Sequence, residues 1–246
     1  MRQRFSASGR STIVDIAKGN GSTRRLYIPT PTYRVELAAA KPALLKVFDR
    51  HGGDCVDHAF AGGKNCVTNA LCHVGKPLVL SLDMEDFFGH IRPRLVQTHL
   101  TSSFIALLFE DDAPRQGLLT SPLVSNLAMS PIDRRVTDLC RSLGDVTYSR
   151  YADDLTFSFV DPELAEVVQG GVSAILRSVG LTLNSKKTQL QNARNGIIHI
   201  TGVALTNDGV RPTRRTLRRI RAAAHQKNER QLKGLKEWAL CKLPGG

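Results

Sequence analysis

The chain has 246 residues, 41% of them hydrophobic, which is enough for a real core in one compact unit or two small lobes. No apolar run approaches the roughly 20 residues of a membrane helix and no secretory leader opens the chain, so a cytoplasmic protein without a membrane partner is expected. Net charge is +12, from 34 basic and 22 acidic residues, which points to a polyanionic partner without specifying which.

Residues 1–23 are polar, with Gly9, Gly19 and Gly21, and are too few for a separate domain. Arg24-Arg25-Leu26-Tyr27-Ile28-Pro29 reads as an edge strand stopped by Pro29. Residues 34–50 read as a helix interrupted near Pro42, and residues 51–64 as a Gly-rich loop. Asn65 to Gly75 reads as a capped helical turn holding Asn69, Ala70 and His73. The five cysteines include no Cys-x-x-Cys pair, so a disulfide framework is not expected. The spacing of Cys55 with His58, and of Cys66 with Cys72 and His73, fits no standard zinc site, and core thiols are the better reading.

Leu78 to Asp83 is an apolar strand ending in an acid, followed by Met84 and a turn into the aromatics Phe87 and Phe88. One or two helices are expected between Ile91 and Asp112, with Glu110-Asp111-Asp112 as a solvated loop. Residues 122–143 read as a long helix, with a kink expected at Pro131. Val146 to Val160 is a pair of β-prone runs around a turn carrying Asp153 and Asp154. An isolated Asp-Asp turn is usually just solvated. Here Asp83 ends a strand able to lie beside it, and three carboxylates meeting this way suit hard divalent cations. Two such ions about 3.5–4 Å apart serve in-line phosphoryl transfer. An amphipathic helix over 163–179, capped by Gly180, precedes Leu181 to Thr188. A strand pair follows over 195–206. From Arg211 onward, eleven basic residues face two acidic ones, +9 of the chain's +12. Leu217, Ile220, Ala224, Leu232, Leu235 and Trp238 draw a helical apolar stripe through them.

Tyr-Ala-Asp-Asp at 151–154, behind Leu-Asp-x-x-Asp-Phe-Phe at 82–88 and Gln-Gly-x-x-x-Ser-Pro-x-x-Ser-Asn at 116–126, resembles the palm motifs of reverse transcriptases in order and spacing. Asn69-Ala70-x-x-His73 together with Ile200-Thr201-Gly202 resembles the bacterial retron branch in particular. Arg115 stands where the family usually has proline, and Leu119 where a small residue or proline is common.

The resemblance implies an α+β right-hand polymerase. Fingers would span 1–77 with an insert near 95–114, a palm with an antiparallel sheet and catalytic hairpin 78–206, and a small basic helical thumb 207–246. It implies metal ligation by Asp83, the Met84 carbonyl, Asp153 and Asp154, with two Mg²⁺ ions (or Mn²⁺) as cofactors. Lys187, in a segment resembling the family's Leu-x-x-Asn-x-x-Lys-Thr, would protonate leaving pyrophosphate. Lys18, Arg24, Phe88, Gln116 and Gly117 would hold the dNTP, with Phe88 excluding a ribose 2′-hydroxyl. Tyr151, Thr201, Gly202, Arg214, Arg215 and Arg218 would contact primer and nucleic acid. The implied partners are a cognate non-coding RNA serving as template and primer, its DNA product, dNTPs and an effector (toxin) protein. The implied product is branched RNA-linked DNA (msDNA), made within antiphage defence. A reverse transcriptase of the group II intron or abortive-infection type, and a non-catalytic RNA-binding scaffold, are the alternatives.

Overall fold

The structure is a computed structural model and describes residues 4–17, 21, 23–51, 56–207 and 209–239. The chain forms two compact units, one of Met1–Asp54, Met84–Arg135 and Ser173–Thr182, the other of Cys55–Asp83, Val136–Val172 and Leu183–Gly246.

The first unit opens with an antiparallel sheet of β1 (Arg4–Phe5), β2 (Ser11–Ala17) and β3 (Thr23–Pro29), in that order. Strand β3 is the expected edge strand. The polar composition of the first residues hid β1 and β2, because β2 buries the neighbours Ile13 and Val14 and leaves Ile16 exposed, which breaks the two-residue alternation. Helix α1 (Pro31–His51) buries Tyr33, Leu37, Ala40 and Leu44. The helix continues past Pro42, contrary to the expected interruption. Pro42 lies on the exposed side, where water can satisfy the carbonyl that its missing N–H leaves free.

Short helices α3 (Phe87–His90) and α4 (Ser102–Leu108) also belong to this unit, and a 3₁₀ turn covers Pro93–Leu95. Glu110 corrects the expectation of a solvated acidic loop. It is buried, and its carboxylate accepts hydrogen bonds from Ser6 Oγ (2.5 Å), Ser8 Oγ (2.8 Å) and Ser11 Oγ (2.5 Å). Three hydroxyl donors replace the water that burial removes. Long helices α5 (Ser121–Ser142, including Pro131) and α6 (Leu164–Ser178) each give one end to each unit.

The second unit holds α2 (Cys66–Leu71) and a four-stranded antiparallel sheet of β4 (Leu78–Asp83), β5 (Thr147–Tyr151), β6 (Asp154–Phe159) and β7 (Gln189–Asn192). The strand order is β5-β6-β4-β7. Pairing sets Asp83 opposite Asp154, Ser81 opposite Thr156 and Val79 opposite Ser158. Side chains alternate across a sheet, so these six share one face. The other face carries Leu78, Leu80, Leu82, Leu155, Phe157 and Phe159, all buried.

A second small sheet, in the order β10 (Val210–Pro212), β9 (Val203–Leu205), β8 (His199–Ile200), packs with α2 on Val79. The cluster of Cys66, Val67, Ala70, Ile198, Ile200, Val203 and Leu205 thus covers the end of the mixed face that lies away from the acids. Helices α7 (Arg214–His225) and α8 (Glu229–Ala239) form the basic tail. Its apolar stripe differs from the expected one: α7 buries Thr216 and Ala223, while Leu217 and Ala224 are exposed. The inward face runs through 216, 220 and 223, one residue away from the stripe drawn on hydrophobicity alone.

Candidate active site

Asp83 ends β4 and Asp154 opens β6 directly beside it. Paired residues in an antiparallel ladder sit about 5 Å apart at Cα, so the two carboxylates share one small region. Asp153 lies in the two-residue turn Ala152-Asp153 that joins β5 to β6. Ala152 sits at φ +57°, in the left-handed region that side chains disfavour. Arg150 stabilises this turn from below. Its guanidinium is fully buried, donates from Nη1 to the Ala152 carbonyl at 3.1 Å and lies 3.7 Å from the buried Asp57 carboxylate. Sequence reasoning overlooked Arg150 and Asp57, although an arginine inside an otherwise buried strand was a usable signal.

The charges of these acids interact. Burial, then the charge of Asp153, then that of Asp83 push the Asp154 carboxyl up to about 6, against an opposing pull from Lys187. Lys187 lies in a 3₁₀ turn, Ser185–Lys187, capped by the Asn184 side chain. The Asn184 backbone N–H donates to the Asp83 carbonyl at 2.8 Å, which holds that turn against the end of β4. Lys187 Nζ then donates to the Asp83 carboxylate at 2.7 Å, and this hydrogen bond is the main reason its pKa is raised.

A cavity of about 510 Å³ opens over these groups, lined by Asp83, Asp154, Lys187, Ser81, Thr156 and Thr201 among others. Among the described residues, no three His, Cys, Asp or Glu side chains form a ready-made metal cage. A hard divalent cation nonetheless fits the donor set. The acids offer oxygen ligands alone, and Asp154 is destabilised by the negative charge that a cation would neutralise. Mg²⁺ characteristically binds through one or two carboxylates plus waters and substrate phosphates.

Of the other expected nucleic-acid contacts in this unit, Tyr151 is half-buried and packs against the cluster around α2. Thr201 (φ +46°) and Gly202 (φ +83°) make the turn from β8 to β9, and Thr201 Oγ1 donates to the Cys66 carbonyl at 3.3 Å. Arg214, Arg215 and Arg218 are exposed on the first turns of α7, which Thr213 caps. Asn69, Ala70 and His73 are fully buried and belong to the packing behind the hairpin. Cys66 and Cys140 are buried thiols outside any disulfide, as expected, whereas Cys72 is exposed and donates to the Thr68 carbonyl at 3.3 Å. Cys55 and Cys241 lie outside the described residues.

The first unit carries the expected nucleotide-binding residues. Met84 follows Asp83 in the chain and is buried, and Phe88 is half-buried with its ring 5.3 Å from that of Phe87. Tyr27 N–H of β3 donates to the Gln116 carbonyl at 2.8 Å. Gly117 has φ +110°, and a Cβ there would stand 2.2 Å from the Tyr27 carbonyl oxygen, so only glycine fits. Arg24 is exposed on the same strand, paired with Ile16. Arg115, the departure from proline, has its own work. It donates to the carbonyls of Glu110 (2.8 Å) and Asp111, and its guanidinium lies 5.3 Å from the Tyr27 ring centre. Lys18 lies outside the described residues.

With this geometry in place, the comparisons with known proteins are direct. The model of the reverse transcriptase (RNA-dependent DNA polymerase) family matches residues 16–227. The chain belongs to the reverse transcriptase family. Its relatives in that family include the retron Mx162 reverse transcriptase of Myxococcus xanthus, 30% identical over 87% of this chain and 52% of the relative. The retron Mx65 reverse transcriptase of the same organism is 33% identical over 69% of this chain and 45% of the relative. The retron Ec86 reverse transcriptase of Escherichia coli is 28% identical over 90% of this chain and 71% of the relative. The similarity is thus to the bacterial retron type. This reverse transcriptase-family chain spans about half the length of the two Myxococcus relatives.

Among solved structures, telomerase from Candida albicans in complex with a fragment of telomeric RNA aligns with TM-score 0.62 at 12% identity, over 86% of this chain and 47% of that one. A foamy viral protease–reverse transcriptase in complex with double-stranded DNA aligns with TM-score 0.53 at 17% identity, over 89% of this chain and 33% of that one. The fold is therefore the expected α+β fold of right-hand polymerases.

Proposed function

We propose that this chain is the RNA-directed DNA polymerase of a retron, copying a structured non-coding RNA into branched, RNA-linked single-stranded DNA. The observation that carries the reading is the β4–β6 register, which sets Asp83 against Asp154 with Asp153 in the adjoining turn and Lys187 on Asp83. In this reading the four-stranded sheet is the palm, the β1–β3 sheet and its helices are fingers, and α7 with α8 is the thumb.

Asp83, Asp153, Asp154 and the Met84 carbonyl would hold two divalent ions, Mg²⁺ or in its place Mn²⁺. These would supply the Lewis acidity that activates the primer hydroxyl and neutralises the triphosphate. The remaining work is done by the chain's own groups. Arg24, with Lys18, binds the triphosphate of the incoming dNTP through charge-assisted hydrogen bonds. Gln116 and Gly117 line the nucleotide pocket, and the absent side chain at 117 lets this turn lie close against β3. Phe88 lies under the sugar and excludes a 2′-hydroxyl. Lys187, protonated as lysines are at neutral pH and held in place by its hydrogen bond to Asp83, has a proton to give to leaving pyrophosphate. Tyr151, Thr201 and Gly202 hold the primer end. Arg214, Arg215 and Arg218 bind backbone phosphates. The non-coding RNA, its DNA product and dNTPs are the partners. Resemblance to retrons adds an effector protein and a role in antiphage defence.

Sequencing the nucleic acid that co-purifies with the protein tests this. The expected result is one RNA species joined to DNA through a 2′–5′ branch. Linear cDNA alone would overturn the retron reading in favour of another reverse transcriptase class, and no RNA-templated DNA would overturn the polymerase reading.

A further inference from the structure

The Asn69-Ala70-x-x-His73 segment lies behind the Asp-Asp hairpin, and the function proposed above leaves it without a role. Its helix, α2, begins with a reciprocal cap: Asn65 Oδ1 accepts from the Val67 and Thr68 backbone N–H groups, and the Asn65 N–H donates to Thr68 Oγ1 at 2.9 Å. That cap fixes where the helix starts. Asn69, one turn on, and His73, just past the end of the helix, face the sheet, and both are fully buried.

His73 touches both strands of the hairpin. Its Nδ1 is 2.8 Å from Ser158 Oγ on β6, and its Nε2 is 2.7 Å from Ser149 Oγ on β5. The Ser149 hydroxyl donates to Asn69 Oδ1 at 2.7 Å. All four groups are sealed from solvent. With the Asn69 amide oxygen facing Ser149, the proton count sets the direction of each bond. Ser149 has one hydroxyl proton and gives it to Asn69, so Ser149 Oγ must accept from His73 Nε2–H. A neutral imidazole carries one ring proton, so Nδ1 must accept, and Ser158 O–H is its donor. The chain runs one way: Ser158 to His73, His73 to Ser149, Ser149 to Asn69. An imidazolium would have to donate to both serines, and burial away from water disfavours its charge, so the ring is neutral.

The geometry has a further consequence. Ser149 pairs with Thr156, and Ser158 pairs with Thr147, so His73 spans the hairpin diagonally across two rungs of the ladder. A slip of β5 against β6 by one residue would turn one of the two serines to the opposite face. On β6 the same alternation governs Ser158, Thr156 and Asp154, which share a face with Asp83. The face of β6 that His73 holds is therefore the face that carries Asp154, and the β5–β6 register it spans is the one that closes the turn at Asp153.

We infer that His73 is a positioning residue: as the neutral Nε2–H tautomer it fastens β5 to β6 through Ser149 and Ser158 and so sets the placement of Asp153 and Asp154. This rests on the polymerase reading, and two measurements keep the two ideas separable. Ring ¹⁵N correlation spectra of the wild-type protein at pH 7 should show the His73 proton on Nε2. A proton on Nδ1 would overturn the wiring, whatever the protein's activity.

In Mg²⁺ titrations of RNA-templated dNTP incorporation, Ser158→Ala should lower kcat about tenfold, the scale of a misplaced catalytic group, and raise the Mg²⁺ concentration for half-maximal rate several-fold. The KM for dNTP and the Kd for RNA should stay within about twofold of wild type, since the groups that make those contacts are untouched. A folded Ser158→Ala with a lowered Tm but wild-type kcat and Mg²⁺ dependence would reduce His73 to packing and overturn the inference. A wild-type protein that makes no DNA would instead remove the polymerase reading.

Discussion

Asp154 stabilises the fold less than a neutral residue would, and the reason is its charge. Its carboxyl titrates near 6 in the folded chain against an ordinary value of 3.8. Between those values the folded protein keeps a proton that the unfolded chain has released, so the penalty is absent below about pH 4, grows as pH rises and is complete above about pH 6. Asp154→Asn should therefore stabilise the metal-free protein at pH 8 by up to about 3 kcal/mol and leave it unchanged at pH 4, as read from urea unfolding at the two pH values. Added Mg²⁺ should stabilise the wild type more than the variant. The buried histidines act with the opposite sign. Burial holds His58 down to about 4 and His73 to about 3, so each contributes stability above pH 6.5 that is lost as pH falls and the unfolded chain takes up protons. A carboxylate kept in an unfavourable place marks function, whereas a neutral imidazole bonded on both sides marks architecture.

Among the elements, the Asp-Asp hairpin shows how much was legible and why the rest was not. Its strands, its turn and the facing strand ending at Asp83 follow from β-branched and aromatic runs, turn residues and a lone acid at a strand end. The same period-two pattern places Asp154 and Asp83 on one face once the strands pair. What supports the turn was not legible, because it comes from far along the chain: Asp57 meets Arg150 across 93 positions, and His73 meets Ser158 across 85. The first strands were missed because β2 breaks the two-residue alternation, and the burial of Glu110 was missed because it gathers three serines around itself only in the folded chain. Helix α1 ignores Pro42 because its buried face lies elsewhere. The Arg150–Asp57 pair carries a prediction of its own. Arg150→Met removes the guanidinium beside a buried carboxylate and should cost about 3–5 kcal/mol in denaturant unfolding, while Arg150→Met with Asp57→Leu should recover much of that loss.

For the whole molecule the dominant fact is the distribution of charge. The last 36 residues carry +9 of the net +12, and α7 presents Arg214, Arg215 and Arg218 to solvent. An exposed arginine that contacts a phosphate releases a counterion, so each contributes roughly 0.7–0.9 to the slope of log affinity against log salt. Replacing all three by Gln should flatten that slope for RNA binding by about 2–3, measured by fluorescence anisotropy at several salt concentrations; an unchanged slope would place the phosphate contacts elsewhere. The central claim concerns the acids, not the basic tail. It is tested most directly by Mg²⁺-dependent incorporation of dNTPs on a primed RNA template, comparing wild type with the Asp153→Ala/Asp154→Ala variant. The account predicts that the wild type extends the primer and that the variant binds the same RNA without extending it. Undiminished DNA synthesis by the variant would contradict it.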